Sequence, residues 1–367
     1  MMKKILVIIL GIGLSVLLLE MFLGIWPKTN LKFYDNDIFG SAFVPNQKGI
    51  FVANSKEYKT EVAINSHGWP DVEHSYEKQS GIFRILILGD SFVENLQTPL
   101  ENRFYRQLQD KLGEGFEVVA MGRGDTGTAQ QYLILKNYGL KYKPDLVIHI
   151  FLEANDVKNN SPLLKNDPYL PYFEIEANGS LRELPHQKRS DRKNERLKTI
   201  LKNSRIVELL LSVRQNLREK KENLENGYPT DYHVYDEDYS AGYSTAWDIT
   251  KKLILETKMT TEETGAKYIL VPIPGSEQVS ESKQNAIYKT YLQMANAKID
   301  FEKPDKILLN FCRENNIGCY SMLSLFKDSS SYYPRDGHWT QEGTDLAAKF
   351  LIEILSSQPS LLEKSDN

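Results

Sequence analysis

The chain has 367 residues, 41% hydrophobic and 26% charged, which is long enough for one large α/β domain with insertions or for two modest domains. A formal net charge of -4 gives no electrostatic basis for a nucleic-acid partner, so no nucleic acid is expected.

Lys3 and Lys4 precede an apolar run from Ile5 to Trp26, broken by one acid, Glu20. About 20 apolar residues suffice to cross a bilayer. A cleavable signal would have a shorter apolar core and a small-x-small site after it. No such site follows, and no cysteine is placed for lipid attachment. Residues 1–27 therefore read as an uncleaved signal anchor, a transmembrane segment that holds the protein on the membrane. The positive-inside rule keeps Lys3 and Lys4 in the cytoplasm and sends the rest outward, to the periplasm or cell surface. Glu20 is expected near the outer interface, where a carboxylate costs less than at the bilayer centre.

Residues 28–80 form a polar, strand-rich lead-in, in which KGIFVANSKEYKTEVAINSHGWP reads as two strands joined by a turn. The main domain is placed at 81–357. RILILGDS is a short apolar run ending in a turn, as expected of a buried parallel strand. LENRFYRQLQDKLG has Phe104, Leu108 and Leu112 at helical spacing and a glycine stop. FEVVAMG is a second strand, TAQQYLILKNYGL a second helix and PDLVIHIFLEAND a third strand. Such β-α-β-α-β alternation makes a parallel sheet.

The alternation breaks at about 160–245, an insertion with a charged helical segment, SRIVELLLSVRQNLREKKENLEN. Two readings stay open for it. It is a cap, lid or partner surface, or it is an amphipathic helix packed on the core by Ile206, Leu209, Leu210 and Val213. The α/β pattern resumes with a helix near 246–264, the strand KYILVPIP, a helix ending at Cys312, the short strand GCYSML and a last helix, GTDLAAKFLIEIL. Residues 358–367 read as a disordered polar tail. Cys312 and Cys319 are either a disulfide, which an exported domain permits, or two free buried thiols.

Four short segments carry chemistry. GDS at 89–91 ends the first core strand and opens a helix, so Ser91 stands near outward-pointing backbone N–H groups suited to an oxyanion. Asp90 and Ser91 would equally serve as helix caps. MGRGDTG matches G-x-G-x-x-G through Gly122, Gly124 and Gly127. A dinucleotide reading fails because it follows the second strand, Asp125 would face the pyrophosphate, and Asp145 begins the next strand instead of ending it. The better reading is a glycine whose bare backbone N–H approaches a substrate oxygen. Asn155, at the end of the third strand, offers a side-chain N–H to an oxyanion, or caps a turn. DGHWTQEG precedes the last helix. Its His338 is suited to take a proton from a serine, with Asp336 to orient the imidazole. His149 lies in an apolar strand and reads as core, whereas His67, His74, His186 and His233 lie in polar segments.

Ser, Gly, Asn and His in this order, at three successive strand ends and one C-terminal loop, resemble the four blocks of the SGNH/GDSL hydrolase superfamily. The matches are Ser91 of GDS, Gly124 of RGDT, Asn155 of EAND, and Asp336 with His338. The resemblance covers about residues 84–356, and INSHGWP in the lead-in resembles a segment of exported members. Two blocks depart from the family's pattern. Glu153 replaces the glycine of G-x-N-D, which would put a carboxylate near the oxyanion. D-x-H replaces D-x-x-H, a spacing that resembles some exported members, among them alginate-acetylation-type proteins.

The resemblance implies a flavodoxin-like three-layer α/β/α sandwich with a parallel central sheet. It also implies a serine esterase. Ser91 is the nucleophile, His338 the base and Asp336 its partner, while Ser91 and Gly124 N–H and the Asn155 side chain form the oxyanion hole. No cofactor and no metal are implied. The substrate class is an acylated carbohydrate or lipid. The alternatives are an O-acyltransferase that modifies an envelope polysaccharide with envelope-modification partner proteins, and a non-catalytic glycan-binding protein on the same fold.

Overall fold

The computed structural model describes residues 2–25, 27–188, 204–326 and 329–364. Helix α1 (Met2–Gly24) is long and apolar enough to cross a membrane, and apart from Glu20 and Leu23 its described side chains are exposed. Trp26 lies outside the described residues.

The lead-in contains two antiparallel pairs, β1 (Phe33–Asn36) with β2 (Gly40–Phe43) and β3 (Lys48–Val52) with β4 (Lys59–Ala63). The second pair is the expected hairpin. After it the chain is pinned to the core by buried charges. His74 lies between Glu117 (2.7 Å) and Asp71 (3.1 Å), Arg84 Nε donates to Glu117 (2.7 Å), and Arg106 pairs with Asp71 (3.1 Å). His74 is thus a buried structural residue, although its local sequence is polar; the acids that enclose it come from elsewhere in the chain.

The core runs β5 (Phe83–Gly89), α2 (Ser91–Glu94), α3 (Phe104–Leu112), β6 (Phe116–Gly122), α4 (Thr128–Asn137), β7 (Leu146–Leu152) and the short helices α5 (Asp156–Asn159) and α6 (Pro162–Lys165). A hairpin of β8 (Phe173–Ile175) and β9 (Leu181–Glu183) and the helix α7 (Arg205–Asn226) belong to the insertion, of which 189–203 lie outside the described residues. Helix α8 (Ala241–Glu262), β10 (Lys267–Ile273), α9 (Ser276–Val279), α10 (Glu281–Thr290), α11 (Leu292–Ala295), α12 (Lys303–Glu314), β11 (Gly318–Cys319) and α13 (Gln341–Ser357) complete it.

Five strands form one parallel sheet in the order β11-β10-β7-β5-β6. Apart from Arg84, His149 and Lys267, the inner strands are apolar, because each face meets helices. Ile85, Ile87, Ile148 and Ile150 pack with Phe104, Leu108, Leu351 and Ile354 of α3 and α13. The alternate residues Leu86, Leu88, Val147 and Phe151 pack with Ile134, Trp247 and Leu308 of α4, α8 and α12. The result is the expected three-layer α/β/α sandwich. β6 lies to one side of β5 and β7 to the other, so the chain direction switches around β5, where α/β sheets open a crevice at their carboxyl edge.

Three expectations need correction. α7 is not packed on the core: Leu209, Leu210 and Val213 are exposed, because the helix runs from its contact with α1 instead of across the sheet. The C-terminal stretch is no free tail as far as it is described. Pro359–Leu362 form a turn of 3-10 helix, Leu361 and Leu362 pack against the core, and Lys267 Nζ donates to the carbonyl of Glu363 (2.6 Å). The last sheet strand, β11, shrinks to two residues at the sheet edge. Cys312, buried on α12, and Cys319 on β11 are free thiols.

Candidate active site

β5 ends at Gly89, and the chain turns at once into α2. Asp90 caps that helix, its carboxylate accepting the Phe92 N–H at 2.9 Å, and Ser91 becomes the first helical residue. Asp90 alone is the cap, and Ser91 is left partly exposed at the sheet edge.

The loop after β6 brings Gly124 beside Ser91. A Cβ on Gly124 would lie 3.6 Å from Ser91 Cβ and 2.8 Å from Glu94 Oε2, too close for the carboxylate to stay where it is. Glu94 is fixed by Arg123 (2.5 Å), whose Nε also donates to Ser41 O of the lead-in (2.6 Å). Among the described residues no acceptor takes the N–H of Ser91 or of Gly124.

Asn155 lies three residues beyond the end of β7 and caps α5. Its Nδ2 is 3.5 Å from Asp90 Oδ2, a long contact, and its buried Oδ1 has no hydrogen-bond partner among the described residues. Asp90 and Asp156 face each other without solvent. Burial holds both carboxyls above the usual range, and their mutual repulsion adds to this for Asp156.

His338 reaches the same place from the other end of the chain. Its Nε2 is 2.8 Å from Ser91 Oγ, and its Nδ1 is 2.5 Å from Asp336 Oδ1. Two residues apart, these side chains meet only because Gly337 between them takes φ +84°, a left-handed turn that costs other residues energy. The D-x-H spacing therefore delivers an Asp–His contact through a tighter turn. Trp339 anchors the loop: it is fully buried, stacked on Phe326 (5.5 Å) and edge-on to Phe92 (4.8 Å), and Phe92 in turn lies against the His338 ring (5.0 Å).

Two residues that the sequence did not single out complete the arrangement. Tyr58 Oη donates to Asp336 Oδ1 (3.0 Å), and Glu57 accepts the backbone N–H groups of Arg335 (3.1 Å) and Asp336 (2.7 Å). Both sit in the turn of the β3–β4 hairpin, and no local signal in EYK marks them.

The electrostatics are consistent across the pair. Burial disfavours the charged imidazole, but the hydrogen bond and charge of Asp336, with Asp90 and Glu94 nearby, outweigh it and hold His338 above its ordinary value. Burial likewise opposes the Asp336 carboxylate, and His338 and Tyr58 together hold it below the usual range.

Ser91, Asn155, Asp336 and His338 line one cavity of about 530 Å³; Gly124 lies next to Ser91 but does not line it. The wall mixes apolar side chains with the polar Lys158, Asn159, Asp231, Glu277, Lys283 and Arg335. Glu153 is not among the lining residues. It is fully buried, its Oε2 accepts from Gln278 (2.5 Å), and burial with the neighbouring Asp305 pushes its carboxyl well above the usual range. The expected carboxylate beside the oxyanion is therefore a buried acid outside the cavity lining, in surroundings that favour its neutral form. His149 is core, as expected: it lies between Tyr268 Oη (2.8 Å) and Gln131 (2.7 Å), with its pKa lowered by burial to about 3.

No family model matches the chain, and no curated protein matches it. Among solved structures it is similar to the acetyl xylan esterase AlAXEase, at 12% identity over 74% of this chain and 100% of that one, with a TM-score of 0.41. It is also similar to a lipase/acylhydrolase from Enterococcus faecalis, at 12% identity over 76% and 97%, TM-score 0.39. A third is a GDSL-like lipase from Bacteroides thetaiotaomicron, at 10% identity over 77% and 92%, TM-score 0.38.

Proposed function

We propose that the protein is a membrane-anchored serine esterase of the SGNH/GDSL type that cleaves an ester-linked acyl group from a glycan or lipid. The observation that carries this reading is the continuous chain Ser91 Oγ–His338–Asp336, with contacts of 2.8 and 2.5 Å, at the carboxyl edge of the parallel sheet.

His338 Nε2 takes the Ser91 proton as Oγ attacks the ester carbonyl, and Asp336 stabilises the imidazolium. The oxyanion is met by the N–H of Ser91 and Gly124 and by Asn155 Nδ2. Collapse expels the alcohol, which receives the proton from His338. Water, deprotonated by the same imidazole, then attacks the acyl-Ser91, and the free acid leaves with Ser91 reprotonated. The amides and charged groups of the cavity wall suit a hydroxyl-rich glycan better than a bare acyl chain. Helix α1 supplies the anchor, with Lys3 and Lys4 on the cytoplasmic side and the catalytic domain outside.

The test is p-nitrophenyl acetate hydrolysis and fluorophosphonate labelling by the full chain in detergent, beside Ser91→Ala and His338→Ala. Labelling and turnover in wild type, lost in both variants, support the reading. Equal turnover in a folded Ser91→Ala variant refutes it.

A further inference from the structure

Glu20 is the single acid in the apolar stretch of α1, four residues and so about 6 Å before the end of that helix. It is hydrogen-bonded to another helix. Its carboxylate accepts the backbone N–H of Arg205 (2.5 Å) and of Ile206 (3.1 Å) and the hydroxyl of Ser204 (3.0 Å). The Ser204 side chain accepts the next N–H, that of Val207 (3.3 Å). Three of the four N–H groups that a helix start leaves open are thereby filled, two of them by a carboxylate from α1, where the helix dipole favours negative charge. The arrangement answers two costs at once, since a carboxylate in a membrane segment needs donors and a helix start needs acceptors.

The contact sets the position of α7. With α1 in a bilayer, the first turn of α7 sits at the membrane interface, at the level of Glu20. Successive residues on a helix are about 100° apart, so Ile206, Leu209, Leu210, Val213 and Leu217 share one face. Leu209, Leu210, Val213 and Leu217 on that face are 48%, 62%, 47% and 64% exposed. An aqueous environment gives this face no partner. It is continuous, through the Glu20 contact, with the equally exposed apolar surface of α1.

We propose that α7 is a second membrane contact, an interfacial helix whose apolar face lies in the acyl–headgroup boundary beside α1. It rests on the reading of α1 as an anchor. Such helices bury their apolar face about 5–10 Å into the interface, and α7, about 33 Å long, is of ordinary length for one. Two contacts restrict the catalytic domain to one orientation against the membrane, where a single helix followed by a linker would leave it free to turn.

The test uses the full chain in phosphatidylcholine–phosphatidylglycerol vesicles, in a Cys312→Ser, Cys319→Ser background with an unchanged melting transition. Leu14→Cys, Leu210→Cys and Ser212→Cys are labelled one at a time with NBD, and quenching is read with lipids that carry a nitroxide at shallow or deep positions. The expected result is deep quenching at 14, shallow quenching with blue-shifted emission at 210, and water-like emission at 212. Quenching at 14 but not at 210 overturns the proposal and leaves the anchor standing. No quenching at either position removes both. A blue shift at 210 that grows with the protein-to-lipid ratio and resists lipid nitroxides assigns the face to a second copy of the chain and likewise overturns it.

Discussion

Asp336→Asn tests the relay in a way peculiar to this structure. Both His338 Nδ1 and Tyr58 Oη contact the same oxygen, Oδ1 of Asp336, at 2.5 and 3.0 Å. In the amide variant the Tyr58 hydroxyl continues to donate, which favours the amide oxygen at that position and keeps its NH₂ away from the imidazole. His338 therefore keeps the tautomer with its proton on Nδ1 and the bare Nε2 toward Ser91, and the variant loses charge alone. Two unit charges about 4 Å apart interact by about 4 kcal/mol at an effective dielectric constant of 20. At about 1.4 kcal/mol per decade that is a loss in kcat of about 10³-fold. Adding Tyr58→Phe frees the amide to flip, and an NH₂ facing Nδ1 imposes the wrong tautomer. The double variant should then fall to about 10⁴-fold below wild type. The assay is kcat and kcat/KM for p-nitrophenyl acetate across pH. Catalysis needs neutral His338, whose pKa is raised in the wild type, so activity falls as pH drops through that raised value. In Asp336→Asn the acid limb should move to lower pH, since the main group raising His338 is gone. An Asp336→Asn enzyme within tenfold of wild type, with its acid limb unmoved, would refute this account of the relay.

Further predictions follow from residues around the site and in the lead-in. Trp339→Ala opens a cavity behind His338 and should cost about 3–5 kcal/mol of stability in urea unfolding, with Km raised and Ser91 labelling slowed as the loop loses its anchor. Burial of Glu153 favours its neutral form, so in Glu153→Gln kcat should stay within a few-fold of wild type and the pH profile should not move; a large loss would place a charge there after all. His74 is buried, which alone would lower its pKa, but hydrogen bonds to Asp71 and Glu117 raise it above its ordinary value. Its stabilisation is full below about pH 6.5 and is lost as pH rises through the raised folded value. The urea midpoint should therefore drop more between pH 5.5 and 8.5 in wild type than in His74→Gln.

The alternating core was legible because each strand is a short apolar run bounded by turn residues, and RILILGDS, FEVVAMG and PDLVIHIFLEAND all became neighbouring strands of one sheet. Ser91, Gly124 and Asn155 were legible for the same reason, being anchored to strand ends whose positions the pattern gives. Tyr58 and Glu57 were not, because their role depends on a tertiary contact with a loop at the far end of the chain. Glu153 was misread for a related reason: sequence places it next to the cavity, but side chains near a strand end alternate in direction, and this one enters the layer beneath. The sequence left α7 open between a partner surface and a core-packed helix, because its periodicity reports an apolar face and says nothing of what covers it.

The union of the β3–β4 turn with the Asp336 loop joins residues 278 positions apart in the chain. At a synthesis rate of roughly 10 residues per second, the hairpin emerges about half a minute before the loop it steadies. Until then the nascent chain carries Ser91, the proposed nucleophile, without the imidazole that contacts it in the folded protein. The enzyme is in this sense its own zymogen during biosynthesis. On the proposed function, a chain truncated anywhere before His338 would carry Ser91 without its base and should show no esterolysis.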